Sequence, residues 1–415
     1  MPNHLRGFSP NTKKLSLVTF LANLYFYNAV GTLYQQARGL SLLQVSSIGS
    51  IIIVTIFVAE VPTGVIADRI GRKWSVVTAI ALQAIGEWLY LFAGGYAAFV
   101  FIAILAGVGY AFLSGANEAL IYDSLPADDR DQRMQKSMGV VGGAYQLAFF
   151  VAPLIGGLLV ANLRLEEFRM VILLTALSVS VAFGVSLTLK EPASAFRHSE
   201  KSPLMIFRAG FSEVRRSPKL RRLLMVSMFT STFSGLLVAL YQPFFAEQQV
   251  ATFWIGAALA FGGLLAAASQ VLAYKLEAWT SPSFAMVLLT VTPGFAYVLL
   301  AMARLPAVLV PAFVLTYGLA DARSPLLSSY RNRLISIDHR ATVLSLMSMM
   351  TSLYLAATML VLGRVAEYSV PLAFAIVGVE VLVAAVVLRV DRVPHLVAGG
   401  EPGPPALSTD RSTGD

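Results

Sequence analysis

The chain contains about twelve apolar runs, most of them near 20 residues long, separated by short polar loops. A helical run of that length crosses the roughly 30 Å hydrocarbon core of a bilayer. Hydrophobic residues make up 57% of the chain and charged residues only 13%, about half the charged share of a typical soluble domain. Because the runs are continuous rather than alternating, they predict an all-α integral membrane protein.

Twelve membrane spans are predicted, six on each side of a polar linker. Those of the first half cover residues 15–37, 43–67, 74–94, 97–121, 137–160 and 168–189. Those of the second half cover 223–246, 252–274, 283–303, 306–328, 341–363 and 370–390. The predicted division is an N-terminal segment (1–14), a six-helix bundle (15–189), a central loop (190–222), a second six-helix bundle (223–392) and a disordered tail rich in Gly, Pro and Ser (393–415).

The distribution of basic residues predicts the orientation. Of the 31 Lys and Arg residues, 25 fall on the side that carries both termini. The opposite side has five, and Arg323 lies inside a span; the five are Arg38, Arg164, Arg169, Arg304 and Arg364. By the positive-inside rule, both termini are expected in the cytoplasm of a multi-pass protein of the cell membrane. The net charge of +8 therefore reflects topology, and a nucleic-acid partner is not expected.

The two halves resemble each other weakly. Tyr122 and Tyr330 each precede a charged loop at the end of the fourth span of their half. Such symmetry is typical of duplicated transporter halves, whose substrate site lies near the midplane between them. Chance similarity between apolar segments is the alternative.

The loop after span 2 reads GVIADRIGRK, with four charges between two apolar runs. Gly64 permits close helix packing and Gly71 permits a tight turn. Asp68 can meet the positive N-terminal end of a neighbouring helix. The alternative is that these charges, Lys73 above all, are a solvated positive-inside anchor.

Gly64, Asp68, Arg69, Gly71, Arg72 and Lys73 match, position by position, the signature loop of the major facilitator superfamily. The resemblance covers the span pattern from about residue 15 to 390 and implies two pseudo-symmetric six-helix bundles. It also implies that Asp68 contacts the start of span 11 near Ala341, while Arg72 reaches a carboxylate at the end of span 4, for which Asp123 is the candidate. These contacts would close one end of the molecule and break when that end opens.

Span 5 reads GVVGGAYQLAFFVAPLIGG and resembles the glycine-spaced signature of antiporters in this superfamily. Gly139, Pro153, Gly156 and Gly157 match, while Ala148 and Ala152 stand where glycines are expected. The resemblance favours export over uptake, although small residues also serve plain packing. In span 4, Ala103 stands where proton-coupled drug exporters carry an arginine, so proton coupling cannot be inferred from that residue.

Charged groups at membrane depth are costly and therefore mark functional sites. In the superfamily, spans 1, 4, 7 and 10 line the cavity, which makes Glu118 and Asp321 the favoured sites for a proton or a cationic substrate. Arg323 lies two residues from Asp321 and is expected on a different face. Fixed hydrogen bonds between helices are the alternative for Glu118 and Asp321 and the favoured interpretation for Glu87 and Glu380. Glu87 and Arg323 remain further candidates for binding a proton or substrate. Asn23, Tyr27 and Asn28 add polar groups in span 1, and Asn23 and Tyr27 are expected on one helix face.

These features predict a secondary transporter that works by alternating access, with proton-coupled efflux of small lipophilic or cationic compounds as the leading hypothesis. The alternative is a transporter of one metabolite, such as a sugar, an amino acid or a siderophore; a receptor without flux is a remote one. Neither a phosphate-binding loop nor a hydrolase motif is present, so no enzyme activity is expected. The chain has no cysteine and four scattered histidines, so neither a metal nor a cofactor is expected. Its expected partners are a small molecule, protons and the bilayer, with the protein acting as a monomer.

Overall fold

A computed structural model of the chain describes residues 8–126, 128–192, 211–335 and 340–398. The described part is helical, without strands. Within it, ten helical segments are long and apolar enough to cross a membrane, and two of these, spans 4 and 7, contain a break. The two predicted spans outside that set are spans 1 and 10, which are built from shorter pieces. The predicted twelve-span bundle is confirmed as a fold class.

Eight spans are single helices. Their bounds are Leu42–Ile70 for span 2, Arg72–Phe92 for span 3, Arg130–Leu159 for span 5, Leu165–Leu187 for span 6, Thr252–Trp279 for span 8, Pro282–Met302 for span 9, Arg340–Tyr368 for span 11 and Val370–Val387 for span 12. Several run beyond their predicted limits. Span 5 begins seven residues earlier than the predicted 137, because polar and charged residues extend its helix past the apolar run.

The other four spans are interrupted, which corrects the prediction of continuous helices. Span 1 consists of Pro10–Ala22, a short 3-10 helix at Phe26–Ala29 and Gly31–Ala37. Span 4 consists of Tyr96–Leu113 and Ala116–Asp123, span 7 of Pro218–Phe229 and Ser234–Glu247, and span 10 of Pro306–Ala320 and Ser324–Leu334. The interruptions recur at the first and fourth spans of each half, as expected of a duplicated bundle.

Further matches between the halves occur at a nearly constant offset. Span 1 begins with Ser9 capping the helix just before Pro10, and span 7 begins with Ser217 capping its helix just before Pro218. A Tyr-Gln pair also recurs, as residues 34–35 in span 1 and 241–242 in span 7. With the tyrosines of spans 4 and 10, three pairs support the internal repeat.

We call the end of the molecule that holds the first and last described residues, 8 and 398, the termini end. There, Asn11 hydrogen-bonds to Lys190 and Ser124, and Arg222 donates to the carbonyl oxygens of Leu388 and Arg389. The apolar cluster of the first half at this end includes Leu15, Val76 and Leu189, and that of the second half includes Leu220, Val343 and Leu346. Neither cluster includes a described residue of the other half.

The opposite end is closed by contacts between the halves, and we call it the closed end. Leu42 of span 2 packs in one apolar cluster with Leu236, Phe244 and Leu362 of the second half. The four described hydrogen bonds between the halves all lie on this side, and they join span 1 to span 7 and span 2 to span 11. The described halves therefore separate towards the termini end, which leaves a cleft open there.

Candidate transport site

The interrupted spans expose backbone groups at membrane depth, and side chains of neighbouring spans bind them. In span 1, the freed carbonyl oxygens of Leu21 and Ala22 accept hydrogen bonds from Ser178 and Gln83, both at 2.8 Å. The amide of Phe26 donates to Thr175 Oγ1 at 3.0 Å. Non-helical backbone survives at this depth only where it is satisfied in this way or lines a cavity. The four breaks are therefore the natural place for a polar site.

The breaks of spans 7 and 10 are bound to each other. Arg323, at the break of span 10, donates through Nη2 to the carbonyl oxygen of Thr230 at the break of span 7. Thr232 Oγ1 donates in return to the carbonyl oxygen of Ala320 at 3.0 Å. Tyr297 of span 9 adds a hydrogen bond to the carbonyl oxygen of Thr232. Arg323 is buried, and its Nη1 has no partner among the described residues.

Asp321 lies at the same break but is exposed. It makes no salt bridge with Arg323 in the described structure, as expected from their spacing. Its charge acts on the hydroxyl groups of Tyr297 and Tyr317 nearby. Tyr317, four residues earlier, stacks on Phe149 of span 5 in the other half, with ring centroids 6.3 Å apart. Asp321 therefore lies beside the surface where the two halves meet.

A stack of aromatic rings continues from that point on both sides. Tyr145 stacks on Phe149 in the first half, and Phe313 stacks on Tyr317 and on Tyr241 in the second. Gly262 and Gly263 of span 8 allow this, because a Cβ atom there would lie 3.0 Å and 2.7 Å from the rings of Tyr317 and Phe149. Aromatic faces next to a carboxylate suit an organic cation, since both attract positive charge.

Glu118, the other favoured acid, is exposed on the second helix of span 4. It lines an open hollow with Asn117 and Tyr110 at the break of that span. Asn117 Oδ1 is buried there without a partner among the described residues. The hollow therefore has unused hydrogen-bonding capacity.

Glu87 of span 3 is buried and accepts a hydrogen bond from the hydroxyl of Tyr27 at 3.0 Å. Tyr27 belongs to the break of span 1, where the helix has already ended at Ala22. The common helix face predicted for Asn23 and Tyr27 is therefore wrong. Asn23 instead donates to the carbonyl oxygen of Thr19 at 2.8 Å.

Glu380 of span 12 accepts a hydrogen bond from Tyr354 of span 11. The carboxylates of spans 3 and 12 thus each bind a tyrosine of another span, in line with the interpretation favoured for both from the sequence.

The signature loop lies at the termini end. Arg72 pairs with Asp68 at 3.4 Å, and the structure does not bring it to Asp123. No hydrogen bond or salt bridge between Asp68 and span 11 occurs in the described part of the chain. Arg69 is exposed, and Lys73 lies over the ring of Trp74. The described contacts at this end include none of those expected of a closed gate, and the side chain of Ala341 lies outside the described residues.

The two glycines of the loop differ. Gly71 ends span 2 and begins span 3 with φ +93°, the turn expected of it. Gly64 has open space around it, so the close packing predicted there is not present in this conformation. The sequence analysis missed Glu191, whose carboxylate oxygens accept the amides of Arg72 and Lys73 at 2.7 and 2.9 Å. Glu191 lies just after span 6, and Lys190 is its one basic neighbour in the sequence. This position was the sequence feature that could have identified it as a cap.

Three of the span 5 signature residues, Pro153, Gly156 and Gly157, lie on the closed side. A Cβ atom on Gly156 would be 1.7 Å from the carbonyl oxygen of Phe26, and one on Gly157 would be 2.6 Å from that of Thr252 in span 8. A Cβ atom on Gly256 of span 8 would likewise be 2.1 Å from the carbonyl oxygen of Pro153. Gly139, by contrast, has open space around it. The last part of the signature is therefore a contact surface between backbones.

The closed end also contains a residue whose role the sequence analysis missed. Gln242 of span 7 is 2% exposed. Its Oε1 accepts the amide of Thr32 at 2.8 Å, and its Nε2 donates to the carbonyl oxygen of Asn28 at 2.9 Å. Span 11 adds Glu367, which accepts the amide of Leu43 at 3.4 Å. The repeated Tyr-Gln pair in spans 1 and 7 was the signal that could have identified Gln242.

The fold and this cleft define a membrane transporter of two pseudo-symmetric six-helix halves. The family model of the Major Facilitator Superfamily matches residues 15–330. The chain belongs to that superfamily.

Individual relatives are distant. Inner membrane transport protein YajR of Escherichia coli is 25% identical over 40% of this chain, and Multidrug resistance protein 2 of Bacillus subtilis is 26% identical over 32%. Each match spans 34% of the relative's length. Among solved structures, a mutant of the nucleoside transporter NupG superposes with a TM-score of 0.77 at 14% identity, covering 92% of this chain and 99% of its own. At that identity the likeness shows the fold alone.

Proposed function

We propose that the protein is a secondary transporter that exports small lipophilic cations in exchange for protons, by alternating access. The observation that carries the proposal is the exposed carboxylate of Asp321 beside the stacked rings of Tyr317 and Phe149. These rings come from opposite halves, so a cation bound to them would contact both halves at once. A ligand that contacts both halves can favour one arrangement over the other.

Alternating access is supported by where the halves touch. The described contacts between them lie on one side, and the apolar clusters of the opposite side contain no described residue of the other half. In the opposite state, we propose that Asp68 contacts the start of span 11 and Arg72 turns to Asp123. Gly64, Arg69, Gly71 and Lys73 shape the loop that carries them. We further propose that the protein is a monomer of the cell membrane with both termini in the cytoplasm, as the bias in Lys and Arg favours.

The export proposal is tested by efflux of a fluorescent lipophilic cation from cells that produce the protein. Asp321→Asn is expected to abolish efflux, and a protonophore is expected to abolish it in the unaltered protein. The matched control is Asp391→Asn, which removes an exposed carboxylate outside the spans that pairs with Arg389. Its efflux should equal that of the unaltered protein.

Two results would contradict the proposal. Unchanged dye levels across a panel of lipophilic cations would exclude multidrug-type export and favour a transporter of one metabolite. Efflux that persists in Asp321→Asn, at matched protein levels, would show that this carboxylate does not bind the cation.

A further inference from the structure

Glu87 is placed where an ionised carboxylate would be poorly compensated. Its side chain is 7% exposed, Oε1 accepts only the Tyr27 hydroxyl at 3.0 Å, and Oε2 is buried without a described partner. A buried charge without a counter-ion or a full set of donors costs several kcal/mol or more, so the group takes up a proton instead. The site therefore suits the neutral, protonated form of Glu87 better than the ionised form.

The titratable groups that face Glu87 are all tyrosines. Tyr25 and Tyr27 come from the break of span 1, Tyr90 from span 3 itself and Tyr110 from span 4. Spans 2 and 6 also pack against span 3, but no Asp, Glu, Lys, Arg or His of the described chain faces the carboxyl group from them. The proton on Glu87 is thus not exchanged with a neighbouring acid or base of the protein.

A small cavity beside Glu87 provides a route for that proton. It has a volume of about 40 Å³ and is lined by Tyr25, Gln83 and Tyr110, among others. One water needs roughly 10–15 Å³ by the same measure and two to four polar partners. The cavity therefore has room for water between Glu87 and the partly exposed Tyr110.

The segment that binds Glu87 also carries the contact with the other half. Tyr27 is followed directly by Asn28, whose carbonyl oxygen accepts Gln242 Nε2 at 2.9 Å. The amide of Thr32, at the start of the next helical piece, donates to Gln242 Oε1 at 2.8 Å. A change in the position of Tyr27 therefore moves the backbone that Gln242 holds.

We propose that Glu87 is a proton-binding site that controls the closed end of the transporter through Tyr27 and Gln242. Protonated Glu87 lets the break of span 1 stay in place, and Gln242 holds the closed end together. Loss of the proton leaves a charge that needs more donors or water than the site offers. The break then shifts, the two hydrogen bonds of Gln242 are lost and the closed end opens. The proposal rests on the proposed function only in treating the protein as an alternating-access transporter.

The absence of cysteine in the chain allows a direct test by paired spin labels. Ala97→Cys and Ala307→Cys place labels on exposed residues at the starts of spans 4 and 10, on the closed side of each half. Distances between them are measured by double electron–electron resonance in lipid nanodiscs. Between about pH 5.5 and about pH 8.5, the population with the longer distance is expected to rise about fivefold or more.

Substitutions identify the group that causes the change in label distance with pH. Glu87→Gln, which stays neutral, should give the short distance at every pH. Gln242→Ala should give the long distance at every pH. Tyr27→Phe keeps the ring stacked on Tyr90, at 4.9 Å in the native protein, but loses the hydroxyl. It should therefore lose the pH response while Glu87 is retained, which keeps the test decisive if Glu87→Gln does not fold.

The matched control is Glu380→Gln, which removes another carboxyl group bound by a tyrosine of a neighbouring span. It should keep the full pH response. The proposal is overturned if the labelled protein shows no pH response, if Glu87→Gln keeps it, or if Glu380→Gln loses it. No transported compound is needed in this measurement. Its result can therefore be interpreted even if the protein does not export lipophilic cations.

Discussion

Gly256 is the residue whose substitution should change the conformational equilibrium most directly. In Gly256→Ala, the new Cβ atom would lie 2.1 Å from the carbonyl oxygen of Pro153, across the boundary between the halves. Ordinary contacts of this kind begin near 3.4 Å, so spans 5 and 8 would have to separate locally by roughly 1.3 Å. Overpacking of this kind costs about 1–3 kcal/mol.

That cost applies only to the conformation in which this end is closed. Spans 5 and 8 must part at the closed end when it opens, and the added methyl group then has no clash. The substitution is therefore expected to raise the population that is open at this end by about 5- to 150-fold relative to the closed one. The measurement is the distance distribution between labels at Ala97→Cys and Ala307→Cys, at a fixed pH near 6, where the unaltered protein is expected to be mostly closed.

Gly143→Ala is the control, because Gly143 lies on span 5 with open space around it. Its distance distribution should match that of the unaltered protein. Gly157→Ala, with a Cβ atom 2.6 Å from the carbonyl oxygen of Thr252, should act in the same direction as Gly256→Ala. A stably folded Gly256→Ala protein with an unchanged distribution would refute the reasoning, since it would show that the two backbones do not control the closed end.

Three further substitutions test single contacts. Glu191→Gln weakens the anionic cap of span 3 by about 0.5–2 kcal/mol and should speed hydrogen exchange of the amides at 72 and 73; unchanged exchange would show that the cap is dispensable. Arg323→Met leaves the Thr230 carbonyl oxygen without its donor and should lower stability by about 1–3 kcal/mol in thermal unfolding, partly restored in Arg323→Lys; equal unfolding of all three proteins would contradict this. Tyr317→Leu removes a ring beside Asp321 and should raise the half-saturating concentration of a lipophilic cation about 2- to 30-fold; a normal value would place the cation elsewhere.

The sequence was sufficient for the architecture because hydropathy and the signature loop both report on helices in a bilayer. It could not show the interruptions of spans 1, 4, 7 and 10. The break at residues 230–233 contains neither proline nor glycine. It persists because Arg323 and Tyr297 bind its freed carbonyl oxygens from other spans. Those partners are distant in the chain, so no local pattern reveals them.

The same dependence on partners distant in the chain explains which parts of the candidate site could be predicted from the sequence. Asp321 and Glu118 could be selected from the sequence because a charge within an apolar run is conspicuous. Glu87 was equally visible, but its connection to Gln242 depends on the irregular backbone of the break in span 1. Helical spacing fails across that break, which is why Asn23 and Tyr27 were placed on one face. Glu191 lies more than a hundred residues from the amides that it caps, and only the fold brings them together.

The closed end is strong enough to hold and weak enough to open. Its four described hydrogen bonds between the halves are worth about 0.6–1.5 kcal/mol each, so together they contribute roughly 2–6 kcal/mol. Inverting a two-state equilibrium from 1:99 to 99:1 takes about 5.5 kcal/mol. Loss of the two bonds made by Gln242 would remove up to about half of the hydrogen-bond contribution. The proposed proton at Glu87 and the proposed cation at Asp321 would therefore suffice to shift the molecule between two states, as coupling of their fluxes requires.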